Sequence, residues 1–220
     1  MPSGYPPAPW RLVGHVVVVV APVALDVARA CVPAALRLAP VLPRHALGIV
    51  LLGLYGEGST VRYAELAGMV GPVLGGGAPA ALVHAMYVDD ARSCAGGREL
   101  WGVPKELARF RWRPGAIEVS DAAGAPLLRA VWREPRIRFP LPVAAPFLGA
   151  LHGAVRRGRV AGTWRLAPAR VALEVPPGSP LATLWSDGPR LAAVGRLDVQ
   201  AHVMRPARQA SAPMPASAPR

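Results

Sequence analysis

"LVGHVVVVVAPVALDVARAC", residues 12–31, is the stretch on which the reading of the fold turns. Its apolar run is about as long as the hydrophobic part of a secretion signal, and Ala28-Arg29-Ala30 imitates a cleavage site. His15 and Pro22 interrupt the run, however, and Asp26 lies between it and the supposed cut. It is also too short to span a bilayer, which takes about 20 apolar residues. The stretch therefore reads as a buried strand, "HVVVVVA" (15–21), followed by a short helix, "ALDVARACV" (24–32). Leu25, Ala28 and Cys31/Val32 recur at helical intervals there, and Pro33 ends it.

The same texture continues outward. "ALGIVLLGLY" (46–55) and "AALVHAMYV" (80–88) are apolar runs bounded by Pro, Gly or acidic residues, as buried strands are. In "ARFRWR" (108–113) arginine alternates with aromatics, so an extended chain puts Phe110 and Trp112 on one face. "AIEVSDAAGAPLLRAVWRE" (116–134) reads as a hairpin turning at Ala123-Gly124-Ala125. "VAGTWRLA" (160–167), "RVALEV" (170–175) and "RLDVQAHVM" (196–204) read as further strands. Two more helices are expected. One covers 144–158, weakened by Gly149 and Gly153. The other covers 179–188, with Ser179 as cap and Pro180 at its first position. The Pro/Ala/Ser-rich ends, 1–9 and 206–220, have little to bury and are expected to be disordered, leaving one domain over 10–205. The fold class is α+β, mainly antiparallel β, a barrel or sandwich with a few short helices.

Charge and composition narrow the partners. The net charge of +12 follows from the scarcity of Asp and Glu, 13 in 220 residues. Such a balance attracts an anionic substrate as readily as an anionic surface. It is spread along the chain, and no run of five or six like charges marks a nucleic-acid arm. Arg111, Arg113, Arg136 and Arg138 beside Trp112 and Trp132 have the composition of a single-strand-binding surface. Alternating arginines more often mark a solvated face, so neither nucleic acid nor membrane is expected as a partner. Two cysteines, Cys31 and Cys94, without CxxC spacing fit a reducing cytoplasm. Five histidines show no ligand pair, so no metal is expected. Gly75-Gly76-Gly77 lacks the Lys-Ser/Thr of a phosphate loop and reads as a hairpin turn.

The 25 basic residues include a single lysine, Lys105. Wherever charge alone is wanted this chain uses arginine, so the amine is a candidate for chemistry that a guanidinium cannot do. Pro104 precedes it, and Trp101, Val103 and Leu107 flank it. Among apolar neighbours an amine loses hydration, which disfavours its charged form. Free lysine is neutral in only roughly one molecule in 2,500 at pH 7, and a pKa lowered by ~3–4 units removes that handicap. The neutral amine then condenses with a ketone or aldehyde, and the resulting iminium draws electrons from the adjacent carbon. The alternative is a surface lysine without a special role.

"HAMYVDDARSCAGGRELWGVPKELA" (84–108) resembles the acetoacetate decarboxylase family. The shared elements are Met86-Tyr87-Val88-Asp89, Gly97-Arg98-Glu99-Leu100 and Pro104-Lys105, without a gap over about 25 residues. "YAEL" (63–66) is similar to the family's Tyr-x-Glu segment, and "ARACVP" (28–33) to a turn near its N-terminus. The resemblance implies that Lys105 is the imine-forming lysine and Glu65 the carboxylate facing it. It implies that Arg98 and Glu99 brace the lysine loop, and that Met86, Trp101 and Val103 belong to the apolar surroundings. It also implies an acetoacetate decarboxylase-like fold, a homo-oligomer and no cofactor. The implied function is that of a lyase acting on a small β-keto or α-keto acid, decarboxylating it through a lysine imine. Aldolase- or dehydratase-type chemistry on the same lysine, or a non-catalytic ligand-binding role, are the alternatives.

Three residues depart from the pattern. The family's second lysine is Glu106 here, and an adjacent anion raises an amine's pKa, so Glu106 must point away, as alternation in a strand allows. The first-strand arginine that meets the substrate carboxylate is Gly14, with Arg11 the nearest substitute. A second acidic position falls in the apolar "GIVLL" (48–52).

Overall fold

The computed structural model describes residues 4–75, 77–184 and 190–204. Its first strand, β1 (Trp10–Ala24), runs through the valine tract and ends in a single-turn helix, α1 (Leu25–Ala30). Five consecutive β-branched side chains lose rotamer freedom in a helix and pack well on a pleated surface. β2 (Arg37–Leu38), β3 (His45–Tyr55), β4 (Tyr63–Leu74) and β5 (Ala80–Val88) follow. Helix α2 (Ala91–Trp101), the longest among the described residues, then leads to β6 (Lys105–Arg113), β7 (Ala116–Asp121) and β8 (Pro126–Trp132). The chain finishes with β9 (Phe139–Leu151), β10 (Ala154–Pro168), β11 (Val171–Glu174), a short 3-10 turn at Ala182–Leu184, and β12 (Leu191–Met204).

Seven of these strands close a barrel. Hydrogen bonding runs β5-β9-β10-β12-β1-β3-β4, and β4 pairs back onto β5. β6 leaves β5 in parallel and carries β7, β8 and β11 away as a smaller antiparallel layer. This layer lies over the outside of the barrel. Val17 and Val19 of β1, with Leu52 and Leu66, form one core with Ile117, Leu128 and Trp132. The alternate residues of β1, Leu12 and Val16, face the lumen among Tyr55, Tyr63, Val83 and Trp101. A strand buried on both faces has no polar side to show, which is why the valine tract is continuous rather than alternating. The expected fold class, mainly antiparallel β with few helices, is the observed one, and the barrel is the form it takes.

Several elements differ from expectation. Residues 144–158 are not helical: they form the β9–β10 hairpin, which fills the gap in the barrel between β5 and β12. Its two-residue turn has positive φ at both centres, His152 at 52° and Gly153 at 77°, the geometry that matches strand twist. Gly149 and Gly153, which weakened the helix reading, belong to this hairpin. The helix expected over 179–188 is reduced to the 3-10 turn, where the Leu181 amide donates to Ser179 Oγ at 3.3 Å; 185–188 lie outside the described residues. Helix α2 and strand β4 were not anticipated as elements. Residues 4–9 of the proposed N-terminal tail lie against the fold: the Tyr5 hydroxyl donates to Glu99 Oε2 at 2.5 Å, and Trp10 Nε1 donates to the Pro6 carbonyl at 2.9 Å. The proposed tail 206–220 lies outside the described residues. No helix among the described residues is long and apolar enough to cross a membrane.

Candidate active site

Helix α2 is a crossover between the parallel strands β5 and β6, and it delivers the site. Asp90 caps it, its carboxylate accepting from the Ser93 amide at 2.9 Å, as a short acidic side chain at a helix start does. Asp89, next to it, accepts from the Ala64 amide at 2.7 Å and ties the end of β5 to the start of β4 beside Glu65. At the other end Gly102 takes a left-handed conformation, φ 63°, and its amide and that of Val103 bond to the carbonyls of Arg98 and Gly97. That sharp stop turns the chain directly into Lys105, the first residue of β6, beside Met86 of β5.

Two neighbouring rows of α2 then hold the lysine, because residues four apart stack on one helix face. Cys94 Sγ and Arg98 Nε donate to the Lys105 carbonyl, at 3.3 and 2.7 Å. Ser93 and Gly97 receive the side chain: Nζ donates to Ser93 Oγ at 3.0 Å, and a Cβ on Gly97 would stand 2.4 Å from Lys105 Cδ. Gly97 is therefore the space through which the amine passes.

Glu65, on β4, faces Lys105, on β6, the two strands flanking β5. Nζ stands 3.3 Å from Oε2, the Tyr55 hydroxyl donates to Oε1 at 3.1 Å, and Nζ lies 4.7 Å from the centre of the Tyr63 ring. Lys105 is 4% and Glu65 6% exposed, so both charges have left bulk water. Burial pushes the Lys105 pKa below its ordinary value, against the opposing pull of Glu65. Burial, reinforced by the charge of Glu65, drives the Tyr55 and Tyr63 hydroxyls well above theirs, so both stay protonated donors at neutral pH.

The pair sits in a cavity of about 270 Å³ inside the barrel. Met86, Trp101 and Val103 line it, together with Lys105 and Glu65. The remaining sequence-derived candidates do not. Arg98 is exposed and touches the lysine backbone, not the cavity; Glu99 accepts from Tyr5, and its carbonyl accepts from Arg156. Arg11, taken as the substitute carboxylate binder, is turned away: strand alternation puts Trp10 and Leu12 on the cavity and Arg11 outside, bonded twice to Asp198 at 2.7 and 3.0 Å. Nor can Gly14 be the place of such an arginine in this backbone, because a Cβ there would lie 1.9 Å from the Leu54 carbonyl oxygen. Glu106 is exposed, on the opposite face of β6 from its neighbour Lys105.

Ser93 and Tyr55 were not foreseen. Ser93 lies three residues after Asp90, the spacing of a capped helix start, which is the signal that could have found it. Tyr55 had none beyond closing an apolar run. The described residues contain no group of three or more His, Cys, Asp or Glu able to hold a metal ion, and both cysteines are free. Arg111 and Arg113 point out from β6 while Trp112 and Trp132 pack on His15, and Arg138 reaches the same cluster through Glu134, which also accepts from Trp132 Nε1.

The family model described as Acetoacetate decarboxylase (ADC) matches residues 1–131. The chain belongs to the acetoacetate decarboxylase family. A 111-residue stretch, 49% of the chain, is 37% identical to an acetoacetate decarboxylase of Ralstonia nicotianae and covers 42% of that protein. The chain spans less than half the length of the curated relatives it matches. Among solved structures, acetoacetate decarboxylase of Legionella pneumophila superposes with a TM-score of 0.67 at 18% identity, covering 93% of this chain and 92% of that one. The enduracididine biosynthesis enzyme MppR complexed with pyruvate superposes with a TM-score of 0.64 at 16% identity, covering 92% and 93%. These two likenesses are of fold.

Proposed function

We propose that this protein is a lyase working through a Schiff base on Lys105, with decarboxylation of a β-keto acid as its first reading. The observation that carries it is the buried amine paired with Glu65 in an apolar cavity. The neutral Nζ adds to the carbonyl carbon, and the carbonyl oxygen takes up protons and leaves as water, forming an iminium. The electrons of the bond to the carboxylate flow into that iminium and carbon dioxide departs. The resulting enamine carbon takes a proton, and water then hydrolyses the imine, releasing the ketone and restoring the amine. Glu65 is the group that carries protons here, because its Oε2 is 3.3 Å from Nζ. Tyr55 holds that carboxylate in position.

Aldol- or dehydration-type chemistry on the same lysine is the second reading. It is favoured by one observation: among the described residues Lys105 is the only cation lining the cavity, Arg11 being engaged with Asp198 outside it. A carboxylate-bearing substrate therefore meets no second positive charge. The fold likeness to MppR, solved with pyruvate, is in keeping with this alternative.

Borohydride reduction in the presence of acetoacetate or pyruvate tests the imine. The expected result is one adduct by intact mass, absent in Lys105→Ala. An unlabelled wild type, or equal labelling of the variant, overturns it. Release of carbon dioxide from acetoacetate then separates the two readings.

A further inference from the structure

The lysine cavity is longer than the chemistry at Nζ requires, and its walls change along its length. Near Lys105 the lining side chains Trp10, Leu12, Tyr55, Tyr63 and Met86 are buried. Farther along, Val18, Val20, Ile49, Leu51, Met69 and Ala81 line it and are all part-exposed. Strand register separates the two groups. Tyr55 lies opposite Gly14, whereas Ile49 lies opposite Val20 on one side and Met69 on the other. From Glu65 to Met69 strand β4 advances by about 13 Å. Among the described residues no side chain lining the cavity is charged apart from Lys105 and Glu65, and the walls beyond the two tyrosines are aliphatic or aromatic.

Lys105 thus stands at the buried end of a lumen that becomes accessible toward Met69. A carbonyl that reaches Nζ must trail the rest of its molecule along that lumen. A charge on the trailing part would lose its hydration and find no partner. An apolar tail would cover apolar wall, which is favourable in proportion to the area buried. A keto acid of three or four carbons would fill the lysine end alone, leaving space that offers water few polar partners.

We propose that the compound which condenses with Lys105 carries an uncharged apolar tail, alkyl or aryl, with its carbonyl at the buried end and the tail laid along the lumen toward Met69. The carbonyl end rests on the imine reading above; the seat for the tail does not.

The test is a homologous series of methyl ketones, from butanone to methyl nonyl ketone, given to the full chain beside acetoacetate and pyruvate. Borohydride adducts are read by intact mass against ketone concentration. The matching secondary alcohols, which cannot form an imine, are titrated by calorimetry into wild type and Lys105→Ala. The half-saturating concentration is expected to fall about fourfold per added methylene until the lumen is full, with acetoacetate and pyruvate labelling more weakly than the long ketones. Ala67→Leu, which narrows the lumen between Glu65 and Met69, and Met69→Lys, which places a charge at its accessible end, are expected to flatten the series while their thermal midpoints show that they fold. A wild-type series independent of chain length, or acetoacetate outcompeting every long ketone, overturns the proposal. If no ketone labels Lys105 but the alcohols still bind more tightly with length, the imine reading fails and the seat for the tail stands.

Discussion

At the scale of single residues, the amine of Lys105 is governed by two opposed influences, burial lowering its pKa and Glu65 raising it. Glu65→Gln removes the one that keeps the amine charged, so the pKa falls further. The pH at which borohydride trapping reaches half its maximum is expected to move to lower values in this variant. Turnover is expected to fall at the same time, by about 10²-fold or more, because the proposed proton carrier is lost. A trapping profile that moves to higher pH would contradict the assignment of Glu65 as the raising influence. Much of this pair was legible beforehand: a lone lysine among arginines and the "YAEL" segment each carry a chemical signal. Ser93 and Tyr55 were not, since a serine or tyrosine is an ordinary residue until a partner is brought to it.

At the scale of elements, helix α2 trades intrinsic stability for room. Two adjacent glycines in a helix cost roughly 0.5–1 kcal/mol each relative to alanine. In return, Gly97 lets the lysine chain through, and Gly96 admits the Trp10 ring, 2.6 Å from where its Cβ would be. Gly97→Ala is expected to leave the thermal midpoint unchanged or raised while cutting the rate of adduct formation at least tenfold, because the new methyl displaces Lys105 Cδ. Equal trapping by the variant and wild type would show that the passage is not needed. Asp90→Ala removes the cap of the same helix and is expected to cost about 1 kcal/mol in urea unfolding. The β9–β10 hairpin teaches a different lesson at this scale. Its Ala- and Leu-rich sequence with four glycines has no decisive local preference, and the barrel's need for strands between β5 and β12 settles it.

For the whole molecule, burying the lysine couples stability to pH. The unfolded chain holds the Lys105 proton up to an ordinary pKa near 10.5, whereas the folded chain releases it at a lower value. Between those two values the unfolded state binds more protons, so stability rises with pH across that window and is lower beneath it. Lys105→Met is expected to remove this slope in urea titrations between pH 7 and 10. The two proteins differ at this side chain alone, so the comparison reports on one amine. An unchanged slope in the variant would mean that the amine titrates alike in the folded and unfolded states.

What the amino-acid order determined by itself is local and chemical: apolar runs that read as buried strands, a lone lysine after Pro104 among apolar neighbours, and a motif over 84–108 that carries its family. Which side of each strand faces what was decided only by closing the barrel. Arg11 and Trp10 are neighbours in sequence, yet one pairs with Asp198 outside and the other lines the cavity. Glu65 and Lys105 meet across 40 residues because β4 and β5 pair and α2 crosses over to β6. Side-chain direction alternates with every residue, so a register set by distant strands, not by local preference, chooses the members of the site.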